Sequence, residues 1–415
     1  MGFADKYLKK HQFITLDIPG VSPKTRLLKY IVVIPAFCEP EIFNTLESVR
    51  NTHGVEEYIE VFILVNYGEH VSQEIKQQNQ QLFLRLLKWS KQNNTEKIFF
   101  HPLITENLPR KHAGAGLARK ILMDAACKRF SQVNNPNGTI FSLDADSLVP
   151  ANYFTSVTAS SKTHLFDCYI FNFAHPVSGN KFTPGVYNAV AQYELHLRYY
   201  KQILEQVNYP YSFYTIGSCF AIKAATYVKM GGMSRRKAGE DFYFLHKVFP
   251  VSDTLFLKDS IVTPSPRPSW RVPFGTGPAI RTILSGYQQQ YATYHPESFN
   301  EIAVFLSMIP EFYTTDQDKF ETKIYSLPDK VRDFLLSADA VTKIKEIKKN
   351  SASKETFIKR FYAWFDAFNI LKLLNFLKNN KYGEIGVKDA VQKFLGTQES
   401  DLHELLRMLR KRDLE

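Results

Sequence analysis

From Tyr30 to about Phe173, short runs of β-branched and aromatic residues alternate with stretches of helical period. The runs are Tyr30–Pro35, Ile59–Val65, Lys97–Phe100 and Thr139–Leu143, and the helical stretches between them lie near 40–51, 73–92 and 114–131. In the last stretch Leu117, Ile121, Leu122 and Ala125 share one face, the pattern of an amphipathic helix. A strand, then a helix, then a strand reads as a right-handed crossover, and a series of them builds a mainly parallel sheet flanked by helices. Such sheets bind ligands beyond the carboxyl ends of their strands. The residues after each run therefore carry the functional information.

Those residues are polar. Pro35-Ala-Phe-Cys-Glu39 follows the first run, Asn66-Tyr-Gly-Glu69 the second, and Asp144-Ala-Asp146 the fourth. The order then changes to an aromatic strand at Cys168–Phe173, a helix near 184–205 and a strand-like stretch from Phe213 to Ile222. A Gly231-Gly232 turn and a helix at 239–248 follow. From Glu297 onward the chain is helix-rich and carries 16 basic against 10 acidic residues after position 340. This gives an N-terminal segment 1–29, an α/β domain 30–296 and an α-helical C-terminal extension 297–415.

Lys and Arg exceed Asp and Glu by 52 to 41, a charge of +11 that favours anionic partners without choosing among them. Four scattered cysteines with no CxxC pair read as small buried thiols in a reducing compartment. The N-terminus has no apolar signal core, and Phe361–Leu377, interrupted by Asp366 and Lys372, is too short to span a bilayer. A cytoplasmic protein is expected, with peripheral contact at the inner face of the membrane as a minority reading.

Asp144 and Asp146 are delivered by an apolar strand to the carboxyl edge of the sheet. Two carboxylates there can hold Mg²⁺ or Mn²⁺ against a nucleotide diphosphate and offset charge on the departing group. Asp316-Gln-Asp318 has the same spacing without a preceding strand, and reads as a pair of solvated loop acids. Gly239-Glu240-Asp241 opens a helix, where the dipole favours negative charge. Helix stabilisation explains either acid as well as a general-base role toward a hydroxyl does. Lys111–Arg119, with Gly114 and Gly116, leads into a helix whose amides can meet phosphate; a tight loop needing glycine accounts for it equally. Arg267 and Arg271, in a Pro- and Gly-containing loop, suit bidentate recognition of a diphosphate.

Three of these motifs occur in an order that resembles the family-2 glycosyltransferases of GT-A fold, over roughly residues 30–275. They are Val33-Ile-Pro35-Ala-Phe-Cys-Glu39, Leu143-Asp144-Ala-Asp146, and Gly217-Ser-Cys-Phe-Ala-Ile222 with Gly231-Gly232 and Glu240-Asp241. The resemblance implies a GT-A nucleotide-diphospho-sugar transferase fold. It implies that Pro35, Ala36 and Glu39 line the base and ribose, and that Asn66 stands where the family usually grips the base with an acid. Arg119, Asp144, Arg267 and Arg271 would complete the nucleotide-sugar site. Asp144 and Asp146 would serve the metal, Asp146 more directly, with His246 a candidate third ligand as in some GT-A enzymes. Asp241 would be the general base, with Glu240 beside it.

The function expected is transfer of a sugar, with inversion, from a UDP- or GDP-type donor to an acceptor hydroxyl on a glycan, a lipid-linked sugar or a small compound. No processive Gln-x-x-Arg-Trp motif is present. A sugar-1-phosphate nucleotidyltransferase is the enzymatic rival, but its glycine-rich loop is missing after the first strand. A basic nucleic-acid-binding scaffold explains the charge but not the carboxylates at strand ends, so no nucleic-acid partner is expected. In the extension, Phe361, Trp364, Phe365, Phe368, Leu371, Leu374 and Leu377 form an apolar stripe on one helix. Packing against the protein is expected there, with docking at an anionic membrane as the alternative.

Overall fold

The computed structural model describes residues 2–18, 20, 27–235, 239–269, 275–286 and 290–415. Arg271 lies outside them. The chain divides into two compact units, one of residues 1–187 and 214–281, the other of 188–213 and 282–413.

The first unit holds a seven-stranded sheet. Its strands are β1 (Leu28–Ala36), β2 (Tyr58–Gly68), β3 (Ile98–Leu108), β4 (Thr139–Ser142), β5 (Cys168–Phe173), β6 (Phe220–Lys223) and β7 (Thr254–Val262). Their order is β3-β2-β1-β4-β6-β5-β7. β1 is parallel to β2 and to β4, β2 to β3, and β5 to β7; β6 runs antiparallel to both its neighbours. The expected mainly parallel sheet with flanking helices is what forms. Every residue of β2 is buried, which is why its centre, Val61–Val65, is an unbroken apolar run and not an alternating one.

Helices α1 (Asp5–His11), α2 (Ile42–Arg50), α3 (Gln73–Asn93), α4 (Ala115–Gln132), α5 (Tyr153–Ser161), α7 (Ala224–Lys229) and α8 (Glu240–Val248) belong to this unit. Helices α6 (Pro184–Gln206) and α9 (Thr276–Leu284) each cross the division. α4 is not the amphipathic helix its sequence suggests: Arg119, Lys120, Asp124 and Arg129 are buried with the apolar face. They are tolerated because each is paired, Lys120 with Asp124 at 2.9 Å and Arg129 with Glu60 at 2.9 Å among them.

Three further expectations change. The strand-like stretch from Phe213 shrinks to the four residues of β6, and β2 extends through Asn66 to Gly68. The boundary expected at 296 falls near 281, and residues 188–213 join the helical unit. The reason is visible in α6, whose Glu194 and Arg198 are sealed inside the helical unit: Arg198 pairs with Glu194 and Asp413, and Glu194 also takes Arg410 at 2.8 Å. No local sequence pattern announces so distant a partnership.

The second unit continues through β8 (Ala292–Tyr294), α10 (Pro296–Phe312), α11 (Phe320–Tyr325), α12 (Asp329–Ser337) and α13 (Ala340–Lys349). Then come α14 (Lys354–Trp364), α15 (Ala367–Leu377), β9 (Glu384–Gly386), α16 (Val387–Leu395) and α17 (Leu402–Arg412). The apolar stripe spans two helices, not one. Asp366 caps the second, its Oδ1 accepting from the Asn369 amide at 3.0 Å. Phe361, Phe365, Leu374 and Leu377 are buried, and the Phe361 and Phe365 rings meet Phe305 of α10 at 6.0 and 5.1 Å. These four are core of the helical unit, while Trp364, Phe368 and Leu371 are half-buried. Among the described residues no helix is long and apolar enough to cross a membrane.

Candidate active site

The sheet order reverses between β1 and β4, because β2 and β3 lie on one side of β1 and β4 on the other. Crevices open at such reversals, at the carboxyl ends of the strands. Pro35 widens this one. The Leu143 amide donates to the Val33 carbonyl at 3.1 Å, so the Val33 carbonyl faces β4. Alternate residues of a strand face the same neighbour, which puts the Pro35 nitrogen on the β4 side as well. Proline has no N–H to give, and the β1–β4 register ends at Val33 opposite Ser142. Beyond that point the two chains are free to part. Cys38 then turns the chain with φ of 45°, a left-handed conformation that a non-glycine residue adopts only when held. Asn79 of α3, fully buried, holds it by accepting from the Cys38 amide at 2.9 Å.

Two arginines organise the crevice. Arg119, at the start of α4 and only 3% exposed, donates to Asp144 at 2.5 Å and forms a shorter contact with Glu240. Its Nε is buried, with no hydrogen-bond partner among the described residues. Arg267, in the segment after β7, donates to Glu39 at 2.6 Å and to Asp146 at 3.2 Å. That segment is fixed at its base, where Leu148 and Thr263 exchange both backbone hydrogen bonds. Glu39 and Glu240 are buried, whereas Asp144 and Asp146 keep 39% and 26% of their side chains exposed. The buried acid of each cluster fixes its arginine, and the exposed one is left facing solvent.

Asp241 stands beside this pair at the start of α8, its Oδ1 accepting from the Phe242 amide at 2.8 Å. Burial raises its carboxyl above the ordinary range, against the pull of Arg119 and with a further push from Asp144. Burial likewise pushes Glu240 up, to about 7, opposed by Arg119. A carboxylate whose proton affinity is raised takes a proton from a hydroxyl more readily than a fully solvated one does. Gly217, just before β6, makes room for the group. A Cβ there would sit 2.8 Å from Arg119 Nη2 and 3.0 Å from Asp241 Oδ2. Gly217→Ala is therefore expected to displace both side chains. Turnover should fall by about 10²-fold, the order seen when catalytic groups shift by an ångström, with little change in melting temperature. Equal turnover in the alanine variant would show that this close packing does not matter.

Of the residues singled out in the sequence, Glu39, Arg119, Asp144, Asp146, Glu240, Asp241 and Arg267 are brought together by the two clusters. Pro35 and Ala36 end β1 at the crevice. Asn66 is 5% exposed and paired within the sheet opposite Thr105, not in a loop after it. His246 does not join Asp144 and Asp146. Its ring lies 4.4 Å from that of Phe242 and 5.5 Å from that of Phe249, and burial holds it neutral, its pKa lowered to about 3. Among the described residues no group of three or more His, Cys, Asp or Glu side chains is arranged to hold a metal. Asp144 and Asp146 supply two part-exposed carboxylates, a donor set that suits a hard cation completing its shell with phosphate oxygens and water.

Three contributors were not legible. Asn79 sits mid-helix among glutamines. Glu41 and Lys181 meet at 2.6 Å from segments 140 residues apart, and Glu41 lies close enough to Arg267 to feel its charge. Asp316-Gln-Asp318, the spacing control, is exposed, with Asp316 paired to Lys319 at 2.9 Å.

No protein-family model matches this chain, nor does any curated protein. Its fold is similar to that of solved glycosyltransferases at low identity. S. aureus TarS 1–349 in complex with UDP-GlcNAc is 12% identical over 76% of this chain and 88% of that one, with a TM-score of 0.41. The mannosyltransferase PcManGT from Pyrobaculum calidifontis, in complex with GDP-Man and Mn²⁺, is 13% identical over 86% and 90%, with a TM-score of 0.36. GalNAc-T7 with UDP, GalNAc and Mn²⁺ is 15% identical over 60% and 45%, with a TM-score of 0.35. At these scores the likeness is too distant to assign a ligand or a reaction.

Proposed function

We propose that this chain is a GT-A-type glycosyltransferase of family-2 kind that uses a nucleotide-sugar donor and a divalent cation. One observation carries the reading: a linked set of carboxylates and cations converges on the sheet's reversal point. The set holds Glu39, Glu41, Asp144, Asp146, Glu240 and Asp241 against Arg119, Lys181 and Arg267. Among the described residues of the crevice, acids outnumber cations six to three. Such an excess repels a diphosphate unless a metal intervenes, and a bound Mg²⁺ or Mn²⁺ would supply the missing positive charge and stabilise the leaving group.

In this reading Asp241 takes the proton of the acceptor hydroxyl. The hydroxyl oxygen then forms the new bond at the anomeric carbon while the bond to the diphosphate breaks on the opposite face, with inversion. Arg119 keeps Asp144 and Glu240 in place, and Arg267 does the same for Asp146. Glu240, too deeply buried for the acceptor, sets the position of Arg119.

A thermal-shift panel of UDP-, GDP-, CMP- and TDP-sugars, with and without Mn²⁺, tests the proposal. A donor present at 100 times its dissociation constant stabilises the fold by about 2.7 kcal/mol. Release of nucleoside diphosphate supports transfer, whereas release of pyrophosphate would identify a nucleotidyltransferase. An α-product from an α-donor would remove Asp241 as the base of a single displacement. Asp146→Asn is expected to abolish turnover with the fold intact, and Asp318→Asn to change nothing; assays with Mn²⁺ present and melts of both variants check this.

A further inference from the structure

We infer that Lys181, which pairs with Glu41, is an exchangeable diphosphate-binding residue that passes to the donor's phosphates when they enter the crevice. This rests on the reading of the site as a nucleotide-sugar site. Lys181 lies in the segment between β5 and α6, yet its partner follows β1. Neighbouring strands are about 4.8 Å apart, so three strand intervals separate β5 from β1, roughly 14 Å. The β5–α6 segment therefore reaches across β6 and β4, over the place where the sheet order reverses. Its base is held where the Ala174 amide donates to the Val262 carbonyl at 2.9 Å and His175 Nε2 lies 3.3 Å from Thr276 Oγ1.

The contact with Glu41 is built to be exchanged. Lys181 has 54% of its side chain exposed and Glu41 28%, so water and ligand reach both. When Lys181 leaves, Glu41 keeps Asn44 Nδ2, which donates to the same Oε2 at 2.7 Å. Arg267 contrasts with it: Glu39, its nearest acid, is 3% exposed and cannot follow it into solvent. Of these two cations, Arg267 is thus fixed and Lys181 free to exchange. An anion with several oxygens and a charge of two or more competes with a single carboxylate for an ammonium group, which is the chemistry of a nucleoside diphosphate.

Calorimetric titration of UDP and GDP with Mg²⁺ tests this on the full chain, with Lys181→Ala, Glu41→Gln and the unchanged protein at 50 and 200 mM salt. Lys181→Ala is expected to weaken binding about tenfold, as loss of one charge-assisted hydrogen bond does, and to flatten its salt dependence. Glu41→Gln, which frees the lysine, should bind as well as the unchanged protein or a few-fold better. Hydrogen exchange across 176–183 should be faster in ligand-free Glu41→Gln and slowed again by nucleotide. Unchanged affinity in Lys181→Ala overturns the inference while the nucleotide-sugar reading stands. Equal weakening in both variants also overturns it, making the pair a fixed brace. If neither nucleotide binds the unchanged protein, the nucleotide-sugar reading falls and the inference with it.

Discussion

Asp241→Asn is expected to lower turnover by about 10²–10⁴-fold, the contribution of a well-placed general base, while the protein folds as before. The variant should melt at the same temperature as the parent at pH 7, or slightly higher. The folded-state pKa of Asp241 is raised, so the folded protein holds that proton more tightly than the unfolded chain does. Stability from this proton is fully present below the unfolded value, about 3.9, and is lost as pH rises through the folded one. Asparagine carries no such penalty at neutral pH. Melts between pH 4 and 8 should show a parent-to-variant gap that closes on acidification. In the parent, the acid limb of kcat/KM should lie above the ordinary aspartate range. Parental turnover in the variant would remove Asp241 from the mechanism.

The largest loss of stability is expected from Arg119→Met. The substitution fills similar space but leaves Glu240, which is buried, and the neighbouring Asp144 and Asp241 without their shared cation. Breaking a buried ion pair from one side costs about 3–5 kcal/mol, because the remaining charge stays out of water. Denaturant midpoints read this directly. Arg119→Met with Glu240→Gln should recover part of the loss, since the stranded charge is then gone. If the single variant is as stable as the parent, the guanidinium is not what holds these acids together.

The parallel half of the sheet was legible because side-chain period and strand length are local properties, and β1, β2 and β4 follow directly from their apolar runs. Asp144, Asp146, Glu240 and Asp241 could be singled out for the same reason: each stands next to an element end. The cross-chain pairings could not be read. Nothing near Arg119 in sequence indicates Glu240 as its partner, and nothing near Lys181 indicates Glu41, because contacts across a sheet edge depend on where loops travel. The stripe from Phe361 to Leu377 misled for another reason. Its spacing fits one helix, while Asp366, a good capping residue, starts a second within it, and the capping signal outweighed the periodicity. His246 shows the limit of spacing arguments: one turn from Asp241, it turns toward two phenylalanines.

Helix α6 has a consequence for how the chain is made. Its Glu194 and Arg198 can pair with each other as soon as the helix forms, four residues apart at 2.8 Å. Arg410 and Asp413, which complete their bonding, lie 216 and 215 residues downstream. A ribosome adding about 5–20 residues per second delivers them roughly 10–40 s later. The α/β unit has its own segments in hand, through residue 281, well before that moment. During synthesis α6 must therefore wait half-assembled, its acid and its arginine neutralising one another, while the rest of the helical unit emerges.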